Sequence, residues 1–469
     1  MSSVNILEFL TYVIVSAVVM FLLFYRDPYL CLYFFIIWLP LQNFILAKLA
    51  ILDIFSDSLI IFLSSLKELA LIILLLSLFL KKQLFRGKYS VVDYLLIANI
   101  LFLSVYFFLP NSFFGYPGNF ADRIFGLRFS LISLLIFIAG RSVTFSFLKI
   151  KKALKLLIVI TLVIVIFGFI EVLFIPRYSL IDGLIAISKL KGGENNLYLR
   201  ENMLAYIMDY GKIEIKRMMS FFLSPLGFAY FLILPFCFML VYPTDLSKRK
   251  INLFRHAVFI LILISCSVIF SNTRAVILAL IFVAIIYSLR KSFKSLILVL
   301  SFLIIIFMLT PLKTVFIETQ NLSDSSSAAH AFAYVIGLEK VMNHPLGIGL
   351  GQAGPIAAQM GGEGIYGGDE ASVGESLYLT VAVERGLPGL LLFMMFIISI
   401  GLAGREVGEN KEVGENEDCF IRIVLGKSIV LATIAYIIAS IPTEVWLGFQ
   451  SSAIYWWFAG LVVQLKLKA

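Results

Sequence analysis

Charge is scarce in this chain. Asp, Glu, Lys and Arg together make up 14% of its 469 residues, histidine occurs three times and cysteine four. So little charge cannot furnish a water-exposed surface, which excludes a soluble globular enzyme. With 61% hydrophobic residues and 44 Phe, it excludes a disordered or fibrous chain as well. The cysteines make no disulfide framework, since Cys31, Cys237 and Cys266 lie in apolar runs and Cys419 in a polar stretch. There is no Asp-x-Asp pair and no His/carboxylate cluster at helical spacing, so no metal site is expected. The nearest candidates, Glu363, Asp369 and Glu370, read as solvated residues of a Gly-rich loop. A nucleotide-binding Gly loop followed by Lys-Ser or Lys-Thr is also missing, so ATP-driven chemistry has no support and no cofactor is expected.

What is present is apolar sequence in lengths near 20 residues, repeated along the chain at a mean hydropathy of +1.00. The period-2 alternation of an outer-membrane barrel is absent, and the hydrophobicity is too continuous for one signal peptide. The expectation is an all-α polytopic membrane protein. Apolar spans fall at 6–25, 29–48, 59–80, 91–109, 124–140, 153–175, 221–242, 255–271, 274–289, 295–311, 377–403, 423–441 and 449–465, which supports about 12–14 transmembrane helices. The chain divides into N-terminal spans (1–175), a first long loop (176–220), middle spans (221–311), a second long loop (312–376) and C-terminal spans (377–469).

The formal net charge of +9 sits in short basic loops, which points to topology and not to nucleic acid. Lys81, Lys82, Arg86 and Lys88 form one cluster, and Arg141, Lys149, Lys151, Lys152 and Lys155 another. Lys248, Arg249, Lys250 and Arg255, then Arg290, Lys291 and Lys294, form two more. Such loops stay on the cytoplasmic side, which places 110–123, 176–220, the turn at 271–274 and 312–376 outside. The two long outer segments exceed ordinary connector length. The first mixes seven basic and five acidic residues. The second, rich in Gly and Ser, contains Phe332, Val335, Leu338, Val341 and Met342 near helical spacing, as for a helix at the interface or packed on the bundle. The inner loop 404–422 carries a tandem Glu-Val-Gly-Glu-Asn repeat and reads as a solvated linker.

Arginine at the outer ends of helices opposes the usual charge bias and is costly near the apolar slab unless partnered. Arg123 and Arg128 open the span at 124–140, Arg217 precedes Phe221, and Arg274 follows Ser271-Asn272-Thr273. A guanidinium offers a planar fork to two phosphate oxygens, and a helix start adds positive potential at Arg274. These four are the candidate pyrophosphate-binding residues; snorkelling to lipid phosphate, or pairing with Asp122 or Glu214, is the bland alternative. For acid–base work the outer candidates are His330 and Glu375. In His344-Pro-Leu-Gly-Ile-Gly-Leu-Gly351 the glycines permit positive φ and close approach to a ligand, so His344, Gly347 and Gly349, with Tyr378, are candidate glycan or loop contacts. Glu171, and Glu68 beside Lys67, are the main charges within spans, read as paired structural groups.

Five stretches occur in order: Arg217-Met-Met-Ser-Phe-Phe-Leu-Ser-Pro225, Ser271-Asn-Thr-Arg274-Ala, His344-Pro-Leu-Gly-Ile-Gly-Leu-Gly351, Glu375-Ser-Leu-Tyr-Leu379 and Glu384-Arg-Gly-Leu-Pro-Gly389. In this order and spacing the chain resembles the O-antigen ligase/polymerase superfamily over roughly 215–400. The resemblance implies a GT-C-like glycosyltransferase of the bacterial inner membrane, with an undecaprenyl-pyrophosphate-linked oligosaccharide as donor on the outer face. Arg217 and Arg274 match the family's pyrophosphate-holding arginines, and the implied mechanism is metal-independent and inverting, with Arg274 also stabilising the leaving group. A chain-length regulator, a flippase and membrane lipid are the implied partners. Glu375-Ser376 stands where ligases typically carry His-Asn, which points to a Wzy-type polymerase. A ligase acting on lipid A core is the alternative, and Arg385 departs from an apolar family position. A lipid-linked oligosaccharide flippase is the rival of another class, but no repeat of hydropathy halves is found.

Overall fold

In a computed structural model the described residues are 5–52, 55–85, 87–115, 120–175, 207–209, 214–242, 251–291, 325–354, 376–409 and 417–468. They form thirteen α-helices. The first six are α1 (Ile6–Arg26), α2 (Tyr29–Leu52), α3 (Asp57–Leu80), α4 (Val91–Phe108), α5 (Phe120–Ser142) and α6 (Phe147–Phe174). Then come α7 (Pro225–Val241), α8 (Ile251–Ser271), α9 (Arg274–Lys291), α10 (Ser325–Asn343), α11 (Leu377–Glu409), α12 (Glu417–Ala439) and α13 (Phe449–Lys468). Eight of them, α1 to α6, α11 and α12, are long and apolar enough to cross a membrane, and α7 and most of α8 are shorter apolar helices. This is the all-helical, multi-span architecture the hydropathy implies. One small exception was not anticipated: the antiparallel strands β1 (Ile207–Asp209) and β2 (Glu214–Lys216), within the first long loop. The expected span 295–311 lies outside the described residues.

Contacts across helix ends sort the bundle into two poles. At one, Lys149 pairs with Asp27 at 2.8 Å, Lys81 stands over the Tyr25 ring, Lys466 pairs with Glu406 at 2.8 Å, and Arg141 pairs with Asp93 at 3.1 Å. These are the basic loops expected on the inner side, so this end is termed the inner pole and the opposite end the outer pole; the Asp27–Lys149 pair sets the link between α1 and α2 at the same end. At the other pole, Asn5 bonds Ser58, the Tyr106 hydroxyl donates to the Leu346 carbonyl, and the Met218 amide to Phe270. The first copy of the Glu-Val-Gly-Glu repeat is not linker: Glu406 to Glu409 complete the last turn of α11, because Ala403 and Val407 pack in the core on the same helix face.

The core sits around α13. Every described residue from Ser451 to Leu465 is buried, and Trp446, Trp456 and Trp457 are among its largest buried side chains. Such a helix has no solvent stripe because it has no solvent or lipid side. It is crossed closely by α5 at two glycines: a Cβ on Gly140 would stand 2.1 Å from the Trp457 carbonyl oxygen, and one on Gly460 2.4 Å from that of Phe137. Small residues let backbones approach where lipid tails give no hydrophobic drive between helices.

Helix α11 is broken in its outer third. Gly386 has φ 69° and ψ −179°, and Pro388 follows without an amide proton, so the ladder cannot pass. The hydropathy places one apolar span at 377–403. The break divides it into an outer piece ending at Arg385 and a shaft running to Glu409.

Candidate functional site

Arg217 and the turn before Arg274 come together at the outer pole. α8 ends at Ser271, Asn272 takes a left-handed φ of 49°, and α9 starts at Arg274. The chain after β2 runs alongside this turn, with the Met218 amide donating to Phe270 O at 3.0 Å. Arg217 Nε donates to Ser271 O at 2.8 Å and Nη2 to Asn272 O at 3.5 Å, so a cation covers the carbonyl end of α8 where partial negative charge gathers. Thr273 Oγ1 donates to Pro225 O, tying the turn to the start of α7, and its carbonyl accepts the Val276 and Ile277 amides. Arg274 is half-buried at the first position of α9.

Glu171 positions the segment that carries Arg217. It is fully buried near the outer end of α6 and pairs with Lys216 at 2.8 Å. Its Oε2 accepts the amides of Ser220 at 2.6 Å and Met219 at 3.2 Å. Ser220 and Leu223 both hold positive φ, of 51° and 53°, conformations that non-glycine residues adopt only when surroundings over-determine them. The paired structural role expected of Glu171 is what the contacts show.

The Gly-rich run docks on the break in α11. Ile348 N donates to Val383 O at 2.8 Å, Gly349 N to Glu384 O at 3.1 Å and Leu387 N to Pro345 O at 2.9 Å. Gly347, Gly349 and Gly351 have φ of 82°, 104° and 77°, as their spacing suggests. What approaches them is backbone of this chain: a Cβ on Gly347 would meet Gly386 N at 2.5 Å, and one on Gly351 would meet Asp122 O at 2.1 Å. The buried Glu384 carboxylate accepts the Gly351 amide at 2.9 Å. Arg385, also buried, donates to Ser130 Oγ, while its Nε finds no partner among the described residues. Thr380 Oγ1 donates to Glu444 in the link between α12 and α13.

The other expected site residues distribute as follows. Tyr378 OH donates to Ile437 O at 2.6 Å, fastening α11 to α12. His344 follows α10, half-buried, its amide on Lys340 O and its carbonyl receiving Gly347 N. Close by, Tyr334 donates to Ile441 O, and burial pushes its phenol above the ordinary value. His330 falls in α10, its side chain outside the described residues, as is Glu375; the neighbouring Ser376 is buried. Arg123 is spent on the end of α4, with Nη1 on Phe107 O at 3.0 Å and Leu109 O at 3.3 Å. Arg128 pairs with Glu68 at 2.5 Å. The structure therefore joins Arg217 to the Arg274 turn, and Gly347 and Gly349 to the α11 break, but gives Arg123 and Arg128 partners of their own. Glu384 and Glu444 were not singled out as site residues; the only signal was a Glu-Arg pair inside an apolar run.

Residues 259–394 match the family model Wzy_C, described as O-Antigen ligase. Among curated proteins no match is found.

Proposed function

From the premise that this chain is a membrane protein with a Wzy_C O-antigen ligase/polymerase family domain, and so of the glycan-transferring type, we propose that it is an inner-membrane polysaccharide polymerase. It transfers glycan from an undecaprenyl-pyrophosphate donor to a lipid-linked repeat-unit acceptor on the outer face. The observation that carries this reading is the convergence of Arg217 and Arg274 on one turn: Arg217 is bonded to the two carbonyls at Ser271 and Asn272, just ahead of Arg274. A guanidinium held this way, beside the positive N-terminus of α9, makes a preset anion site.

In the proposed step the acceptor hydroxyl oxygen attacks C1 of the donor sugar as the C1–O bond to phosphorus breaks. The pair of electrons leaves with undecaprenyl pyrophosphate, whose growing charge Arg274 and Arg217 stabilise. Glu375 takes the hydroxyl proton, with His330 as the other candidate. One displacement inverts the anomeric centre. A well-placed donor to a leaving anion contributes about 3–4 kcal/mol, so Arg274→Ala should slow transfer by roughly 10²- to 10³-fold.

The test is reconstitution of the purified protein with lipid-linked repeat units in EDTA. A ladder of lengthened glycans is expected, lost in Arg274→Ala while the variant elutes and melts like the parent. A normal ladder from that variant removes the arginine site. The family description as an O-antigen ligase favours a second reading, transfer to lipid A core. Adding that acceptor separates the two, since a ligase consumes it and makes no ladder without it.

A further inference from the structure

A second polar group lies inside the spans, away from the Arg217 turn. Glu68 is eleven residues into α3 and Arg128 eight residues into α5, about 12–16 Å below the outer ends of their helices at 1.5 Å per residue. Arg128 Nη2 meets Glu68 Oε1 at 2.5 Å, and Lys67 Nζ stands 3.9 Å from the same oxygen. Lys67 also donates to Gln42 Oε1 at 3.3 Å and lies over the Phe449 ring at 5.9 Å. From Gln42 the network continues: Gln450 Nε2 reaches Gln42 Oε1 at 3.4 Å and Asn43 Oδ1 at 2.8 Å, and Asn43 Nδ2 donates to Phe222 O at 2.9 Å. Phe222 is five residues beyond Arg217, so the two polar regions are joined by hydrogen bonds through α2.

Two features set this group apart from a closed structural ion pair. Glu68 Oε2 is buried and, among the described residues, accepts no hydrogen bond. Arg128 has 46% of its side chain exposed and, among the described residues, no hydrogen-bond or ion-pair partner besides Glu68, so most of its donor fork is unspent at a depth where hydrocarbon could not solvate it. A buried acceptor and an open donor side by side call for a ligand that does both jobs. A phosphate does not, because Glu68 repels it. A sugar does: one hydroxyl donates to the carboxylate while its neighbour accepts from the guanidinium or the ammonium.

We propose that Lys67, Glu68 and Arg128 bind a sugar of the acceptor glycan away from its pyrophosphate, so that the donor pyrophosphate at Arg217 and Arg274 and the acceptor glycan occupy separate sites joined through Asn43 and Phe222. This rests on the transfer reaction proposed above. It assigns Arg128 to hydroxyl recognition in place of the pyrophosphate role expected from its position.

The experiment counts lipid-linked repeat units, extracted from membranes that accumulate them, bound per chain by native mass spectrometry in detergent, and follows elongation in proteoliposomes. The wild type should bind two and Arg274→Ala one. Glu68→Gln/Arg128→Gln should bind one, at the donor site, with elongation reduced at least tenfold. Arg128→Lys keeps the ion pair and should melt like the parent yet lose at least fivefold in elongation, because the fork is gone. The charge-reversed pair Glu68→Arg/Arg128→Glu would restore a merely structural bridge, but should leave elongation impaired. Two bound units in the double Gln variant, or elongation within twofold of wild type in the Lys variant or the reversed pair, overturns the proposal. No ladder and no bound unit in the wild type would instead overturn the transfer reaction itself.

Discussion

Two buried ion pairs stand at opposite poles of the bundle and serve different ends. At the inner pole Arg141 pairs with Asp93, both almost wholly buried. Asp93 also closes a capping box with Ser90 at the start of α4, and Arg141 donates to Lys88 O at 3.0 Å. This pair joins helix to helix and ends there. At the outer pole Glu171 pairs with Lys216, equally buried, but the carboxylate spends its remaining oxygen on the amides of Met219 and Ser220. That pair joins a helix to the segment bearing Arg217. The inner one holds the scaffold, and the outer one aims a side chain.

The comparison can be broken by removing the acid from each. Asp93→Ala and Glu171→Ala each strand a buried cation, so each should cost about 3–5 kcal/mol of stability, read as detergent-solubilised thermal unfolding. Only Glu171→Ala should also lose activity per folded molecule, at least tenfold in the ladder assay; Asp93→Ala should stay within about twofold. Equal activity losses would erase the distinction. A smaller effect follows at Gly347, where alanine would face both a φ of 82° and the Gly386 amide nitrogen at 2.5 Å. Gly347→Ala should cost about 1–3 kcal/mol and reduce elongation by loosening the docked turn. The smallest lies on the inner shaft of α11. A Cβ on Gly401 meets nothing nearer than Thr433 at 3.6 Å, so Gly401→Ala should stabilise by up to about 1 kcal/mol and leave activity unchanged.

The described spans were legible because hydropathy is a local property, and contacts at one pole bring basic residues of several loops to the same end of the bundle. The Arg217 and Arg274 turn was legible for the same reason: arginine in a short outer turn is conspicuous wherever it folds. Less was visible of the contacts between distant segments. The glycines at 347, 349 and 351 announced positive φ and close approach, yet nothing in their spacing could say that the approaching group is the break at Gly386. The break itself was masked by apolar sequence on both sides, since Leu387 and Leu390 keep the run hydrophobic across it. That Glu68 stands beside Arg128 was not visible either, because the two are sixty positions apart on different helices. The first copy of the acidic repeat reads as linker because its charges mask the core spacing of Ala403 and Val407.

The burial of α13 has a practical corollary. Trp446, Trp456 and Trp457 sit at the centre of the bundle, and Trp38, half-buried, is the remaining indole of the four. Intrinsic emission from this protein therefore reports on the interior, and brominated phospholipids should dim only a minor share of it. A red shift in that emission then signals loosening of the central mast, so an ordinary fluorimeter can tell a variant that has lost its architecture from one that has lost only its chemistry.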